Sequence, residues 1–312
     1  MANLLRALYA PLFFFGFIAS ACWLTERQGA PLWALVALLM LAIAISFITE
    51  WQLPFKGKWN HNQGDGLRDS LHALTNESLN CLSIMALPWF ARLIPDLGLW
   101  PDQLPVGLQL VIAILAADLG ITLMHWASHQ YKWLWRLHAV HHSPKRLYGF
   151  NGLMKHPAHQ FLEALAGIGP LLLLGLPENI AALLAFAIAI QLLLQHSNVD
   201  IRVGYLDRLF AWAPVHRYHH IKYGRAGDVN FALFFSFWDR LMGTAFTGKG
   251  LELHANDLGI GSQPDYPQGY AAQLLQPFVN VALRRADPPL PRHLGGMEEA
   301  GEDVNDADSV AH

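Results

Sequence analysis

Three groups of histidines stand out in a chain of 312 residues that carries 16 of them. His125 and His129 lie four apart in HWASH. His138, His141 and His142 stand at i, i+3 and i+4 in HAVHH, and His216, His219 and His220 repeat that spacing in HRYHH. Residues three and four apart share one helical face, so each group offers a convergent patch of imidazoles. At this histidine content an H-x-x-H-H pattern arises by chance about 0.04 times per chain, so two copies point to metal binding over scattered surface histidines. Eight imidazoles exceed the ligands of one tetrahedral zinc and suit two metals with open positions. Imidazole serves iron, copper, nickel and zinc alike, so spacing alone leaves the metal open.

Other residues join the constellation by position. Asp118 precedes His125 by seven residues and His129 by eleven, which returns it to nearly the same helical face. An acid within a membrane span is costly and usually functional. It lies about 10 Å before His125 at roughly 1.5 Å per residue, so the expectation is a hydrogen bond to a histidine on another segment. His196 ends the apolar run LLLQHSN at the depth where the preceding span delivers His125, and is expected to be a ninth ligand. In KHPAHQ, Pro157 interrupts the pairing of His156 with His159. His156 is expected to support the metal site and His159 to lie at the membrane interface. His61 and His72, in a loop between two spans, and His254, His293 and His312, in polar sequence, are assigned no chemistry.

The elements that must position these residues are apolar. The chain is 53% hydrophobic and 14% charged, against about 25% charged for a soluble domain, which points to lipid contact. The net charge of −3 gives no case for a nucleic-acid partner. Cys22 and Cys81 both fall in apolar runs and offer neither a disulfide framework nor a cysteine metal site. Apolar stretches at 7–24, 31–49, 81–100 and 106–124 read as spans, the third weakened by Pro88 and Arg92. Runs at 164–176 and 180–194, separated by Pro177, Glu178 and Asn179, read as a helical hairpin that dips into or crosses the bilayer. The ASAC run at 19–22 resembles a cleavage or lipidation site, but another span follows within a few residues, so a retained first helix is expected. One sidedness leaves only Arg27 and Arg92, of 21 Lys and Arg, opposite the rest. The positive-inside rule makes the crowded side cytoplasmic, and all three histidine groups fall on it.

The expected architecture is an all-α polytopic membrane helical bundle with a cytosolic histidine-rich cap. Residues 1–105 form N-terminal membrane spans, 106–250 a histidine-box core of membrane hairpin plus cap, and 251–312 a C-terminal segment. The run after 287 is rich in Pro, Gly and acid, and is expected to be largely disordered. A transporter would need polar ligands along a path across the bilayer, whereas these histidines gather at one edge.

These motifs resemble the fatty acid hydroxylase/sterol desaturase superfamily of membrane di-iron enzymes, which shows H-x-x-x-H, a closely following H-x-x-H-H and a distant second H-x-x-H-H. Here the second group begins nine residues after His129. The surrounding context is similar too: LHAVHHS at 137–143, KHP at 155–157, QHSN at 195–198, HRYHHIKYG at 216–224, DVNF at 228–231 and FWDRLMGT at 237–244. The likeness covers about 106–245. It implies two iron ions, which zinc can replace in recombinant protein, held by the eight box histidines. It further implies O₂ and two external electrons driving hydroxylation or desaturation of a lipid, with hydroxylation favoured here. Asn230, Trp238 and Asp239 match family positions, and Asn230 joins Asp118 as a candidate to assist catalysis. With no fused cytochrome b5 signature, a separate redox partner is expected at the cytoplasmic face, where the cluster of Lys132, Arg136, Lys145 and Arg146 could receive it or equally contact lipid headgroups. The lipid could be a sterol, acyl chain, ether lipid, carotenoid or ornithine-type lipid.

Overall fold

The computed structural model describes residues 2–90, 95–248, 250–279 and 286–297. Arg92, and the tail from 298 with His312, lie outside the described residues. Among them the protein is helical without strands, with isolated bridges pairing Pro54 with Val199, Phe210 with Phe235 and Ile221 with Leu258.

Among the described residues four helices are long and apolar enough to cross a membrane: α1 (Ala2–Gln28), α2 (Leu32–Gln52), α4 (Val106–Gln130) and α9 (Glu178–Gln195). Between α2 and α4 runs α3 (Gly66–Phe90), which opens on the polar sequence GLRDSLHALTNES and is not among the four. The expected span at 81–100 is thus corrected: its apolar part is the second half of a mixed helix that starts fifteen residues earlier. His72 sits on this helix and not in a loop. It is fully buried, with Nδ1 3.2 Å from the Lys155 carbonyl and Nε2 3.0 Å from Gln273 Oε1.

The hairpin expected from the runs at 164–176 and 180–194 takes a definite form. Its first arm is broken into α7 (Pro157–Gly167) and α8 (Gly169–Leu173), and α9 returns as the second. The first arm runs antiparallel to α4, because His159 meets Ser128 while a Cβ on Gly120 would lie 2.1 Å from the Ala166 carbonyl. A Cβ on Gly167 would sit 2.7 Å from Ile121. Glycines facing backbone let the two helices approach this closely, as small residues do between helices in membranes. The centre of the bundle is α9, most of whose side chains are buried, whereas α2 exposes large apolar residues such as Trp33, Met40 and Ile48. Such a surface belongs in hydrocarbon.

At the end where α2, α4 and α9 finish, shorter elements build a cap: α5 (Lys132–His142), α6 (Gly149–Leu153), α10 (Ala213–His216), α11 (Phe237–Met242) and α12 (Tyr270–Leu275). A buried ionic network ties the cap to the loop after α2. Arg146 donates through Nε and Nη2 to both oxygens of Asp65 (2.7 and 2.8 Å) and through Nη1 to the Trp59 carbonyl. Arg146 is therefore removed from the expected landing cluster, since a buried bidentate pair leaves its guanidinium nothing to offer a partner. Disorder after 287 does not hold for the first residues of that segment. Leu294 and Met297 are buried against a cluster that includes Trp59, Leu147 and Tyr218.

Candidate metal centre

The nine histidines singled out in the sequence meet in two adjacent groups. His125, His129, His138, His142 and His219 form one, and His141, His196, His216 and His220 the other, with one ring nitrogen of each within 4.8 Å of the rest of its group. The last turns of α4, the whole of α5, the end of α9 and the 213–220 segment converge here. Because α5 is a single short helix, His138 and His142 turn to the first group while His141 turns to the second. A short H-x-x-H-H motif thus serves two sites.

The far side of most rings is anchored. Nδ1–H of His125, His216 and His219 donates to the carbonyls of Phe231 (2.7 Å), Asn230 (3.3 Å) and Val229 (2.8 Å), three consecutive residues. His141 and His196 donate likewise to Met154 (3.0 Å) and Leu192 (3.1 Å), and His129 to the carboxylate of Asp228 (2.7 Å). A carbonyl can only accept, so each of those rings in its neutral form carries its proton on Nδ1 and presents a bare lone pair at Nε2. Burial holds His138, His141, His142, His216, His219 and His220 well below the ordinary imidazole range, and the neighbouring rings push the same way. They are neutral.

This donor set can be tested for fit to a metal. His196 Nε2 lies 3.2 Å from His141 Nε2 and 3.1 Å from His220 Nε2, and His220 lies 3.1 Å from His216. In the first group His142 Nε2 lies 3.2 Å from His129 and 3.0 Å from His138. His196 and His141 both carry the proton on Nδ1, so their lone pairs face each other with no proton to share. Nε2 of His125 and of His219 is buried with no hydrogen-bond partner among the described residues. Desolvated lone pairs pointing at one another are unfavourable alone, and a cation between them removes the conflict. Neutral imidazoles whose other nitrogen is held by backbone or carboxylate are the usual form of histidine ligands. The residues fit one metal in each group.

The loop 228–235 that supplies the three carbonyls is itself held by two carboxylates. Asp118 accepts the N–H groups of Leu233, Phe234 and Phe235 (3.1, 2.8 and 2.9 Å), and Asp239 those of Phe231 and Ala232 (2.7 and 3.0 Å). The expected hydrogen bond from Asp118 to a histidine is therefore corrected: the carboxylate acts on the loop that orients the histidines. Asn230 does similar work. Its φ of +56° lies in the left-handed region, which Asn tolerates better than most residues. Its amide binds the Phe246 N–H and the Val215 and Phe246 carbonyls. Asn230 places a backbone carbonyl under His216, and its own amide group is fully engaged in holding the loop.

Two histidines differ from expectation. His156 is the N-cap of α7, its Nδ1 accepting from the Ala158 N–H (3.1 Å) and its Nε2 3.1 Å from the Leu274 carbonyl, and it belongs to neither group. Proline at N1 makes the preceding residue the cap, and that geometry turns the ring away from the metals. His159 is not at the interface but fully buried, 2.9 Å from Ser128 Oγ, with its ring 4.5 Å from that of His138. Glu163 pairs with Lys155 and approaches His159 Nδ1 to 3.7 Å, which gives the buried acid and lysine each a partner. Asp228 was not singled out by itself, although the DVNF run contains it; only folding brings it to His129.

A cavity of about 320 Å³ opens from the cap onto the first group, touching His129, His142 and His219. Its wall includes Lys132, Lys222, Arg225 and Asp228. None of the four histidines of the second group lines it.

Fold and site together define a membrane protein with a buried, two-part histidine centre. A family model for fatty acid hydroxylase matches residues 110–244. The ornithine lipid hydroxylase OlsE of Rhizobium tropici is 31% identical over 268 residues, which cover 82% of this chain and 79% of that protein. Alkylglycerol monooxygenases of Danio rerio and Homo sapiens are 29% and 27% identical over 133 and 132 residues, or 43% and 42% of this chain and 29% of each of theirs. No solved structure matches. The chain belongs to the fatty acid hydroxylase family, and is an oxidoreductase of the membrane.

Proposed function

We propose that the protein is a di-iron hydroxylase that uses O₂ and two electrons from a separate donor to convert a C–H bond of a membrane lipid to an alcohol. The observation that carries this reading is the pair of histidine groups whose Nε2 atoms face inward, while carbonyls and Asp228 hold the outer nitrogens of six of the nine rings. The first metal would be held by His125, His129, His138, His142 and His219, and the second by His141, His196, His216 and His220. Iron at these positions supplies the capacity to activate O₂, which imidazole ligands with open positions support. The activities of the relatives, hydroxylase and monooxygenase, favour hydroxylation over desaturation, and ornithine lipids are the first substrate class to test.

The chain's own residues supply orientation and shielding. The carbonyls of 229–231 keep three rings at a fixed tautomer and angle. Phe231, buried, packs its ring 5.5, 5.1 and 5.3 Å from those of His125, His129 and His219 and excludes water from beside them. The cavity touching His129, His142 and His219 admits the reacting part of the lipid to the first group only. Sidedness follows the basic residues, with the cap in the cytoplasm. The exposed Lys132 and the nearby Arg136 leave a basic face for an electron carrier. Arg136 is partly committed, donating to the Val279 carbonyl.

The test compares lipids from membranes with and without the protein by mass spectrometry, alongside metal analysis of the purified chain. A lipid that gains one oxygen atom, and two metals per chain, is the expected result. A fully loaded protein with one metal or fewer, or a lipid profile that does not change, would sink the reading.

A further inference from the structure

A second cavity, of about 550 Å³, adjoins the one that reaches the histidines. The two share Lys222 and the Gly259–Ile260–Gly261 strip as a common wall. That wall is thin because of glycine: a Cβ on Gly261 would lie 2.0 Å from the Lys222 carbonyl, and Gly259 has a φ of +112°. The volume is in the range of small-molecule sites.

Its charge is one-sided. Lys58, Lys145 and Lys222 line it, and among the described residues no Asp or Glu does. Lys145 donates to the Pro264 carbonyl (3.3 Å) and Lys222 to that of Asn256. Each ammonium has three donors, so both keep N–H groups for another acceptor. Tyr266 also lines the cavity and is 5% exposed, and its buried hydroxyl has no hydrogen-bond partner among the described residues. Like charges around a concave wall raise the local potential and attract an anion. A buried phenol without a partner is costly, and an anionic oxygen would satisfy it.

We propose that this cavity binds the anionic group, a carboxylate or a phosphate, of the amphiphilic substrate, so that the adjoining part of the molecule lies in the neighbouring cavity against His129, His142 and His219. This rests on the hydroxylase reading above. It makes Lys58, Lys145, Lys222 and Tyr266 determinants of which lipid is oxidised and where. The oxidised bond then lies near the charged end of the lipid.

The test measures binding without turnover, on the full chain in neutral detergent without O₂ or reductant. Dodecyl phosphate, dodecyltrimethylammonium and inorganic phosphate are titrated against the parent, the triple variant K58Q/K145Q/K222Q, Lys58→Gln alone and Tyr266→Phe. Dodecyl phosphate should bind the triple variant roughly tenfold or more weakly, since three modest charge contributions are lost together. The two single variants should fall by about threefold, the scale of one modest polar contact. Dodecyltrimethylammonium should bind all forms alike and more weakly. Parent-like dodecyl phosphate affinity in the triple variant, with melting temperature and metal content intact, overturns the proposal. If that variant fails to fold, unchanged affinity in both Lys58→Gln and Tyr266→Phe overturns it instead. Inorganic phosphate binding as tightly as dodecyl phosphate also overturns it, because the site would then serve a free anion. A parent that binds dodecyl phosphate through these lysines but oxidises no lipid leaves the anion site standing, while the hydroxylase reading falls.

Discussion

The two histidine groups are built from the same material yet differ in access. The first has five histidines and faces a polar cavity, and one of its rings is braced by the half-exposed Asp228. The second has four, each no more than 3% exposed, and is braced by the Met154, Leu192 and Asn230 carbonyls of the protein interior. The difference teaches that a symmetric pair of motifs can yield an asymmetric centre. One group opens onto a cavity, and the other is closed within the interior.

The largest expected effect lies in the closed group. Its central ring is His196, whose Nε2 faces both His141 and His220. His196→Ala should lower the metal content from two to about one per chain and drop the melting temperature by several degrees, because metal binding and folding are coupled. His129→Ala, at the rim of the open group, should cost less of both. Elemental analysis with a melting curve decides it, and a greater loss for His129→Ala would reverse the comparison.

Asp118→Asn should act on both groups. One amide oxygen cannot accept what the carboxylate accepts from three N–H groups, and the new NH₂ faces donors. Leaving a buried donor unsatisfied costs about 1–3 kcal/mol. The loosened loop carries carbonyls for His125, His216 and His219, so both metals should bind more weakly, as equilibrium dialysis against a chelator would read. Unchanged affinity at both positions would mean that the loop holds its shape without the carboxylate.

Asp228→Asn should weaken the open group alone, by roughly 10–100-fold in metal affinity, the usual scale for losing a histidine's hydrogen-bond partner. Equal weakening of the two groups would show that they do not load independently. His156→Ala should be smaller still. It removes a helix cap for about 1 kcal/mol and should leave two metals in place; metal loss would return His156 to the centre.

The smallest effect on the metals concerns the scaffold, and it separates acid loss of metal from acid loss of the cap. Burial would raise the Asp65 carboxyl, but the hydrogen bonds and charge of Arg146 prevail and hold it below 3.8. A depressed carboxylate contributes stability that is full above its unfolded value and is lost as pH falls through its folded one. Asp65→Asn should therefore lower the melting temperature at neutral pH and flatten its decline below about pH 4, with metal content at neutral pH unchanged. A decline as steep as the parent's would assign the acid limb to other groups.

Much of this molecule follows from local chemistry that sequence carries. An i, i+3, i+4 histidine pattern has one geometric meaning on a helix, and the apolar runs of α1, α2, α4 and α9 are long enough to name themselves. The limits appear where meaning depends on a distant partner. Asp118 shares a helical stripe with His125, which suggested a hydrogen bond to a histidine on another segment, yet its oxygens reach the amides of 233–235, more than a hundred residues away in sequence. His156 and His159 have the same residue type and flank one proline. Only the start of α7 decides that one caps a helix and the other packs against His138. Arg146 stands beside Lys145 in sequence, but Asp65 buries the first and leaves the second to line a cavity. The sequence by itself determined which residues could bind metal and which helices could meet lipid, because spacing and hydropathy are properties of the chain. Tertiary structure decided how nine histidines divide into two groups, which group is open and which carboxylates hold the frame, because those depend on backbone carbonyls and amides that every residue has and no sequence pattern distinguishes.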